Sequence, residues 1–579
     1  MNRPQRPPLA AERLDEDLSE RAERTPEDSR EGSGDDKPMP PAPPGAPPAA
    51  PSSPPGPGSP YDRGWEPSFN PWIVAIIVTM AAFMEILDTT IVNVALPHIA
   101  GSLSSSNDEA TWTLTTYLIA NGIVLTISGW LGTVLGRKRY FLICLSMFTV
   151  CSFLCGTSTS LGQLIFFRLL QGFFGGGLQP NQQAIILDYF PPARRGAAFG
   201  VTAIATIVAP ILGPTLGGYI TDTTSWRWIF FINVPVGILA VVLVGIMVQD
   251  PPWVKRERRP IDLIGLGLIG LGLGCLEVMM DRGEDADWFN SSFIFTMALL
   301  AATGIVGTVI WLMIAKKPII NLNVFRDKNF AAGCLMIGAM GAVLYASAVI
   351  IPQFAQRVIG YDALWAGLIL SPGGLVVIAL IPFVGRLMNF AQTRYIIAFG
   401  FFVMGCSLIF SSKLVVDISY FRLVLIRGSQ TVGLAFLFVP ISTVTYATLP
   451  RELNGDATAL YSMFRNVAGS IGIAFSTALI EQRSQVHQAY LARWTSPFHQ
   501  PFQQLIAHYQ ATLESMGHTA SAAYNLALGE ALQMFNGQVA VMAYSDVFLY
   551  CSVLAFAMVP FCFLLSPIKG GRGASAGGH

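Results

Sequence analysis

Between residues 72 and 566 the chain turns apolar again and again, each time over a stretch of membrane-spanning length. A helix needs about 20 residues to span the hydrocarbon of a bilayer. Fourteen segments come close to or exceed that length: near 72–96, 110–131, 140–156, 161–181, 197–220, 229–248, 262–280, 292–314, 329–351, 363–385, 394–412, 419–446, 457–480 and 542–566. Backbone in lipid must satisfy its own hydrogen bonds, so such segments fold as helices. The expected fold class is an all-α polytopic membrane protein. Composition agrees: 12% of residues are charged and 52% hydrophobic, against about 25% charged in soluble domains. The formal net charge of zero gives nucleic acid nothing to bind. The eight cysteines, Cys144 to Cys562, all lie in apolar segments. They form neither a disulfide framework nor a CxxC metal pattern and read as small packing residues.

The connecting loops alternate in charge. Arg137/Lys138/Arg139, Arg194/Arg195, Lys255/Arg256/Arg258/Arg259, Lys316/Lys317/Arg326/Lys328, Arg386/Arg394 and Arg451 mark one set. The other set holds no basic residue or only Arg227, Arg282, Arg357, Lys413 and Arg483/Arg493. The positive-inside rule places the rich set in the cytoplasm, so both termini are expected there. Residues 1–70 are polar, then rich in Pro, Ala, Gly and Ser, and are expected to be a disordered tail. The expected organisation is a tail to residue 70, a six-helix half over 71–248, and a linker with two inserted helices over 249–328. A second six-helix half follows over 329–567, with a long outside loop at 481–541 and a Gly-rich tail over 568–579. That loop holds His487, His499, His508 and His518 at spacings that match no metal signature. They are expected to be solvated. The stretch 501–534 favours helix by its Ala, Leu and Gln content.

Two carboxylates lie in the middle of the first span, Glu85 and Asp88. Each costs about 2.5–3.5 kcal/mol at mid-bilayer on insertion scales, and intramembrane acids face a bundle interior or a path for ions and substrate. Three residues apart, they share roughly one helix face. Arg168 lies inside the fourth span; a guanidinium keeps its proton and needs an acceptor. If it approached Asp88, a proton on the acid would weaken their attraction and couple charge to conformation. Glu277, near the outer end of the seventh span beside Asp281 and Arg282, is expected at a loop edge, solvated or paired.

The chain also echoes itself. Arg168-x-x-Gln171 is followed by Pro180, Pro192 and Gly196; Arg427-x-x-Gln430 is followed by Pro440, Pro450 and Gly455. Internal repeats of this kind mark transporters with a site at the repeat interface.

From about Pro71 to the C-terminus the sequence resembles the major facilitator superfamily, in its fourteen-helix drug:proton antiporter branch and most nearly the EmrB type. The first-helix motif is Leu87-Asp88-Thr89-Thr90-Ile91-Val92-Asn93-Val94-Ala95-Leu96-Pro97. The fourth-helix motif is Arg168-Leu169-Leu170-Gln171-Gly172. The antiporter motif of the fifth helix is Gly213-Pro214-Thr215-Leu216-Gly217-Gly218, followed by Trp228-Ile229-Phe230-Phe231-Ile232-Asn233-Val234-Pro235. Asp281-Arg282-Gly283 with Asp287-Trp288-Phe289 resembles the loop after the seventh helix. The loop after the second helix departs from the superfamily pattern. Between Gly129 and Gly136-Arg137-Lys138, Thr133 stands where the usual Asp would be and Val134 where the first Arg would be. The ion-pair latch of the superfamily lacks its acid there, while the turn and the basic cluster remain.

The resemblance implies two six-helix halves with two helices inserted between them. It implies a secondary transporter that exports hydrophobic or amphipathic compounds against protons, with Asp88, Glu85 and Arg168 in proton coupling. Gly213, Pro214, Gly217 and Gly218 would then form a bend or seal in the fifth helix, each proline removing a backbone hydrogen bond. It further implies the inner membrane of a cell with two membranes, a periplasmic adaptor and an outer-membrane channel. No cofactor is expected beyond the proton gradient, and no Walker A pattern GxxxxGK[ST] is present. The rival within the class is an exporter of one native metabolite, such as a siderophore or a lipid. An intramembrane aspartyl protease would need a second membrane-depth Asp facing Asp88, and the sequence offers no clear one.

Overall fold

The computed structural model describes residues 67–567, apart from 253, 255–260, 317, 451, 452 and 497. The tail before residue 67, Lys255, Arg256, Arg258, Arg259, Lys317, Arg451 and the stretch after residue 567 lie outside the described residues. The described chain is helical. In order run α1 (Pro71–Ser102), α2 (Asn107–Leu135), α3 (Arg137–Thr157) and α4 in two pieces (Leu161–Gly175 and Leu178–Tyr189). Next are α5 (Pro192–Thr223), α6 (Trp228–Phe231 continuing as Asn233–Met247), α7 (Leu263–Arg282) and α8 (Ser292–Ile314). The second half begins with α9 (Lys328–Phe354), α10 (Ala363–Phe390), α11 (Thr393–Ser411) and α12 (Tyr420–Thr445). The last are α13 (Asn454–Leu491), the short α14 (Gln500–Ser515) and α15 (Ala520–Phe561).

Polar caps start the spans. Asn70 accepts from the Trp72 amide with Pro71 at the first helical position, and Ser106 and Glu109 cap α2 reciprocally. Asp262, Asp327, Asp362 and Ser419 open α7, α9, α10 and α12 in the same way. Gly136, at φ 85°, separates α2 from α3 in a conformation that favours glycine.

Thirteen described helices are long and apolar enough to span. The fourth span is the exception, because α4 breaks at Gly176-Gly177 into pieces of 15 and 12 residues. It also continues eight residues past its expected end at 181. The second piece carries Gln179, Asn181, Gln182, Gln183 and Asp188, so hydropathy hides it, yet all of its residues are buried. Pro180 sits in its first turn, where its missing N–H costs no helical bond. Helix α5 runs through Pro210 and Pro214 without interruption.

The two halves pair their helices in matching fashion. In the first, α1 packs on α5, α2 and α3 on α4, and α3 on α6. In the second, α9 packs on α13, α10 and α11 on α12, and α11 on α15. Across the seam α5 meets α10 and α13 meets α2, the same pairing with the halves exchanged. Helices α7 and α8 form a hairpin on the flank, where Phe295, Leu299, Val306 and Met313 stay exposed as lipid-facing residues do.

The expected loop 481–541 is mostly helix. Helix α13 continues to Leu491 and α15 already starts at Ala520, so only the segment carrying α14 is a true connection. Arg483 and His487 of α13 both bond Asp546 of α15, at 2.5 and 2.8 Å. His487 is thus a clamp between extended helices rather than a solvated side chain. Ile506 of α14 packs on Ala527 and Ala531 of α15.

Candidate functional site

Asp88 is fully buried in α1. Its Oδ2 accepts from Arg168 Nη1 at 2.5 Å, and its Oδ1 accepts from Gln171 Nε2 at 3.0 Å and Asn233 Nδ2 at 2.8 Å. Three sequence motifs, from α1, α4 and α6, therefore meet on one carboxylate. Arg168 Nη1 also donates to Gln171 Oε1 at 2.9 Å, and its Nε donates to the Thr113 carbonyl at 3.2 Å. The guanidinium lies 4.1 Å from the centroid of Tyr117, a cation–π contact. The contact between Asp88 and Arg168, left open by sequence, is direct.

Glu85 makes a different set of bonds. Its Oε1 accepts from Asn121 Nδ2 at 2.9 Å and from Tyr117 Oη at 3.4 Å. Its Oε2 accepts from Gln179 Nε2. Gln179 Oε1 in turn accepts from Arg465 Nη2 of α13. Because arginine only donates, the amide oxygen must face Arg465 and the amide N–H₂ must face Glu85. One glutamine, placed just past the break in α4, thus joins an acid of the first half to an arginine of the second. About one helical turn further along α4, Gln183 Oε1 accepts from Tyr446 Oη at 3.1 Å and adds a second polar tie between the halves.

Gly213 and Gly217 seat α5 on α1 immediately beyond Asp88. A Cβ at Gly213 would run into Thr90 Oγ1, and one at Gly217 would lie 2.8 Å from the Ile91 carbonyl oxygen. Gly218 is buried, and its carbonyl accepts from Thr221 at 3.1 Å. Next to Pro214, Thr215 Oγ1 lies 3.3 Å from Ser371 Oγ of α10, so the motif touches both halves.

The basic residues of the loop motif are pinned to their own half. Arg137 forms an ion pair with Asp188 and donates to the Ala184 carbonyl at 2.8 Å. The Lys138 amide donates to Asp250 Oδ1 at 2.8 Å, and its Nζ donates to the Gly245 carbonyl at 2.7 Å. Gly129 abuts the start of α13, where a Cβ would lie 2.7 Å from the Gly455 carbonyl. Thr133 Oγ1 donates to the Trp130 carbonyl of its own helix at 2.8 Å. Backbone contact at Gly129 joins the halves here.

Glu277 is half-buried and accepts from Ser470 Oγ of α13 at 3.0 Å, while Asp281 accepts from Thr115 of α2. The inserted α7 is bonded to both halves. Of these residues, Gln179 and Arg465 were not singled out from sequence. Arg465 carried a usable signal, an arginine inside the apolar run 457–480; Gln179 carried none, because its neighbours become polar beyond Pro180. Among the described residues no cluster of His, Cys, Asp and Glu could hold a metal ion.

The sequence pattern of the Major Facilitator Superfamily matches residues 78–473. The chain is 35% identical over 508 residues to the Multidrug export protein EmrB of Escherichia coli (strain K12), across 88% of this chain and 98% of that protein. It is 31% identical over 494 residues to the Fatty acid resistance protein FarB of Neisseria gonorrhoeae, across 85% of this chain and 96% of that protein. Among solved structures, the human organic anion transporter MFSD10 (TETRAN) superposes with a TM-score of 0.52 at 13% identity, over 84% of this chain and all of that one. That likeness concerns the fold.

Proposed function

This chain belongs to the Major Facilitator Superfamily, and from that premise we propose that it is a multidrug export permease that exchanges hydrophobic or amphipathic compounds for protons. It is a transporter and not an enzyme. The observation that carries the coupling is the pair of sealed carboxylates on one face of α1. Asp88 is tied to an arginine of its own half and Glu85 to an arginine of the other. A proton on Asp88 removes the negative charge that pairs with Arg168 and loosens α1 from α4. Glu85, one turn away, passes that movement to α13 through Gln179 and Arg465. Gly213 and Gly217 let α5 follow α1, since their backbones touch. Substrate binds between the halves, on apolar and aromatic walls that offer few polar points.

The experiment is substrate-driven proton flux in liposomes that hold the purified protein. Substrate moving down its gradient should drive protons the other way. Substrate movement with no proton movement would end the antiport reading.

The Arg137, Arg195, Arg326 and Arg394 ends of the helices face the cytoplasm in this scheme, and α14 lies outside. A reporter at residue 515 that reads as cytoplasmic would reverse it. In the inner membrane of a cell with two membranes, the α14–α15 hairpin is then the docking surface for a periplasmic adaptor leading to an outer-membrane channel. Phe498, Met516, Tyr524 and Leu532 stand exposed there, beyond the reach of a lipid bilayer if α13 and α15 project as their lengths imply. Replacing residues 490–535 with a Gly/Ser linker should spare antiport in liposomes and abolish adaptor pull-down. Normal adaptor binding by that variant would remove the hairpin from the interface.

A further inference from the structure

The two halves repeat a buried arginine but not its acid. In each, the arginine follows its main partner by 80 residues and precedes a glutamine by three. In the first half the partner is Asp88. In the second it is Ser347 of α9, whose Oγ accepts from Arg427 Nη1 at 2.8 Å. Gln430 Oε1 lies 3.3 Å from the same Nη1, and its Nε2 donates to Ser411 Oγ at 2.8 Å. Arg427 is 0% exposed. Its Nε and Nη2 meet no acceptor among the described residues, and no described carboxylate lies within ion-pair distance of it.

An arginine does not give up its proton inside a protein, and an unpaired buried ion costs several kcal/mol. The charge on Arg427 requires a counter-charge that no described side chain of the second half supplies. Nε and Nη2 lie on one edge of the guanidinium. That edge is the fork that grips a carboxylate with two parallel N–H bonds, and the same two N–H groups converge on a single halide. Ser347 adds a hydroxyl that now donates to the Leu344 carbonyl at 3.1 Å and can turn to a ligand instead.

We propose that Arg427 and Ser347 form a binding site for one monovalent anion, at the place where the first half carries Asp88. The anion is either a free halide or the carboxylate head of an amphipathic substrate, since both satisfy the same edge. The site stands independently of proton coupling: a protein that exchanges protons yet ignores anions would sink this proposal alone.

Thermal unfolding of the full-length protein in detergent tests it. The reference buffer is sodium methanesulfonate, and sodium chloride or sodium butyrate replaces it at constant ionic strength. The wild type should gain about 3 °C, saturably, at a hundredfold excess of the anion that binds. A response to chloride alone assigns a halide, and a response to butyrate alone assigns a carboxylate. Ser347→Asp supplies the acid from the chain itself, so it should unfold at a higher temperature in methanesulfonate and respond to neither anion. Arg427→Gln should also lose the response; if it does not fold, Ser347→Asp carries the test. A wild type that responds to neither anion, or a Ser347→Asp protein that responds like the wild type, overturns the site.

Discussion

The first half closes its buried charge and the second leaves it open. Around Arg168 the chain gathers Asp88, Gln171, Asn233, the Thr113 carbonyl and the Tyr117 ring. Around Arg427 it gathers two neutral side chains. The helix pairings that place these groups are the same in both halves. Packing has therefore been kept through the repeat while charge has diverged. A single exchange, acid for hydroxyl at one position, separates a neutral internal pair from a cation that needs a partner. The half with the pair also holds Glu85, which reaches Arg465 of the other half through Gln179.

The largest effect is expected from making the first half like the second. Asp88→Asn leaves Arg168 without its counter-charge, at a cost of about 3–5 kcal/mol for breaking a buried pair. Proton-driven export in liposomes should vanish, while passive exchange of substrate persists. Full antiport by Asp88→Asn would end the assignment of the proton to Asp88.

Moving the acid sharpens the comparison. Asp88→Asn combined with Ser347→Asp should recover much of the lost stability, because one arginine is paired again, and leave export uncoupled. In the proposed scheme, coupling needs the acid in the half that carries Glu85. Recovery of antiport would mean that the halves are interchangeable for proton transfer.

Gln179→Leu is expected to act less strongly. It leaves Glu85 and Arg465 each short of a buried bond, worth about 1–3 kcal/mol per unsatisfied group. Export should fall by roughly tenfold or more on that scale, with the Asp88–Arg168 pair intact. An unchanged transport rate would show that the link across the seam is structural only.

The smallest effects fall at the helix contact and at the second acid. Gly213→Ala pushes a methyl onto Thr90 and should cost about 1–3 kcal/mol as overpacking. Thr90→Ala in the same chain should relieve it, a coupling that thermal unfolding of the single and double variants measures. Glu85→Gln keeps the size of the side chain and should reduce export less than Asp88→Asn does. Its signature should be a narrower tolerance of substrate charge, read from transport of a cationic and a neutral compound side by side.

Most of the spans, the motifs and the first-half acids were legible in the sequence. Apolar length is a local property, and an ionisable residue inside such a run is visible without any partner. Asp88, Glu85 and Arg168 were found in that way. The break in α4 and its polar second piece were not, since a buried helix wrapped by protein on every side has no need of an apolar sequence. The extent of α13 and α15 beyond their apolar runs was hidden for the opposite reason: there helix is set by propensity and packing, and hydropathy is silent. Only the tertiary structure could decide which arginine meets which acid. Partners 80 residues apart are joined by the packing of α1 on α4 and of α9 on α12, and that packing is the same whether the partner is Asp88 or Ser347.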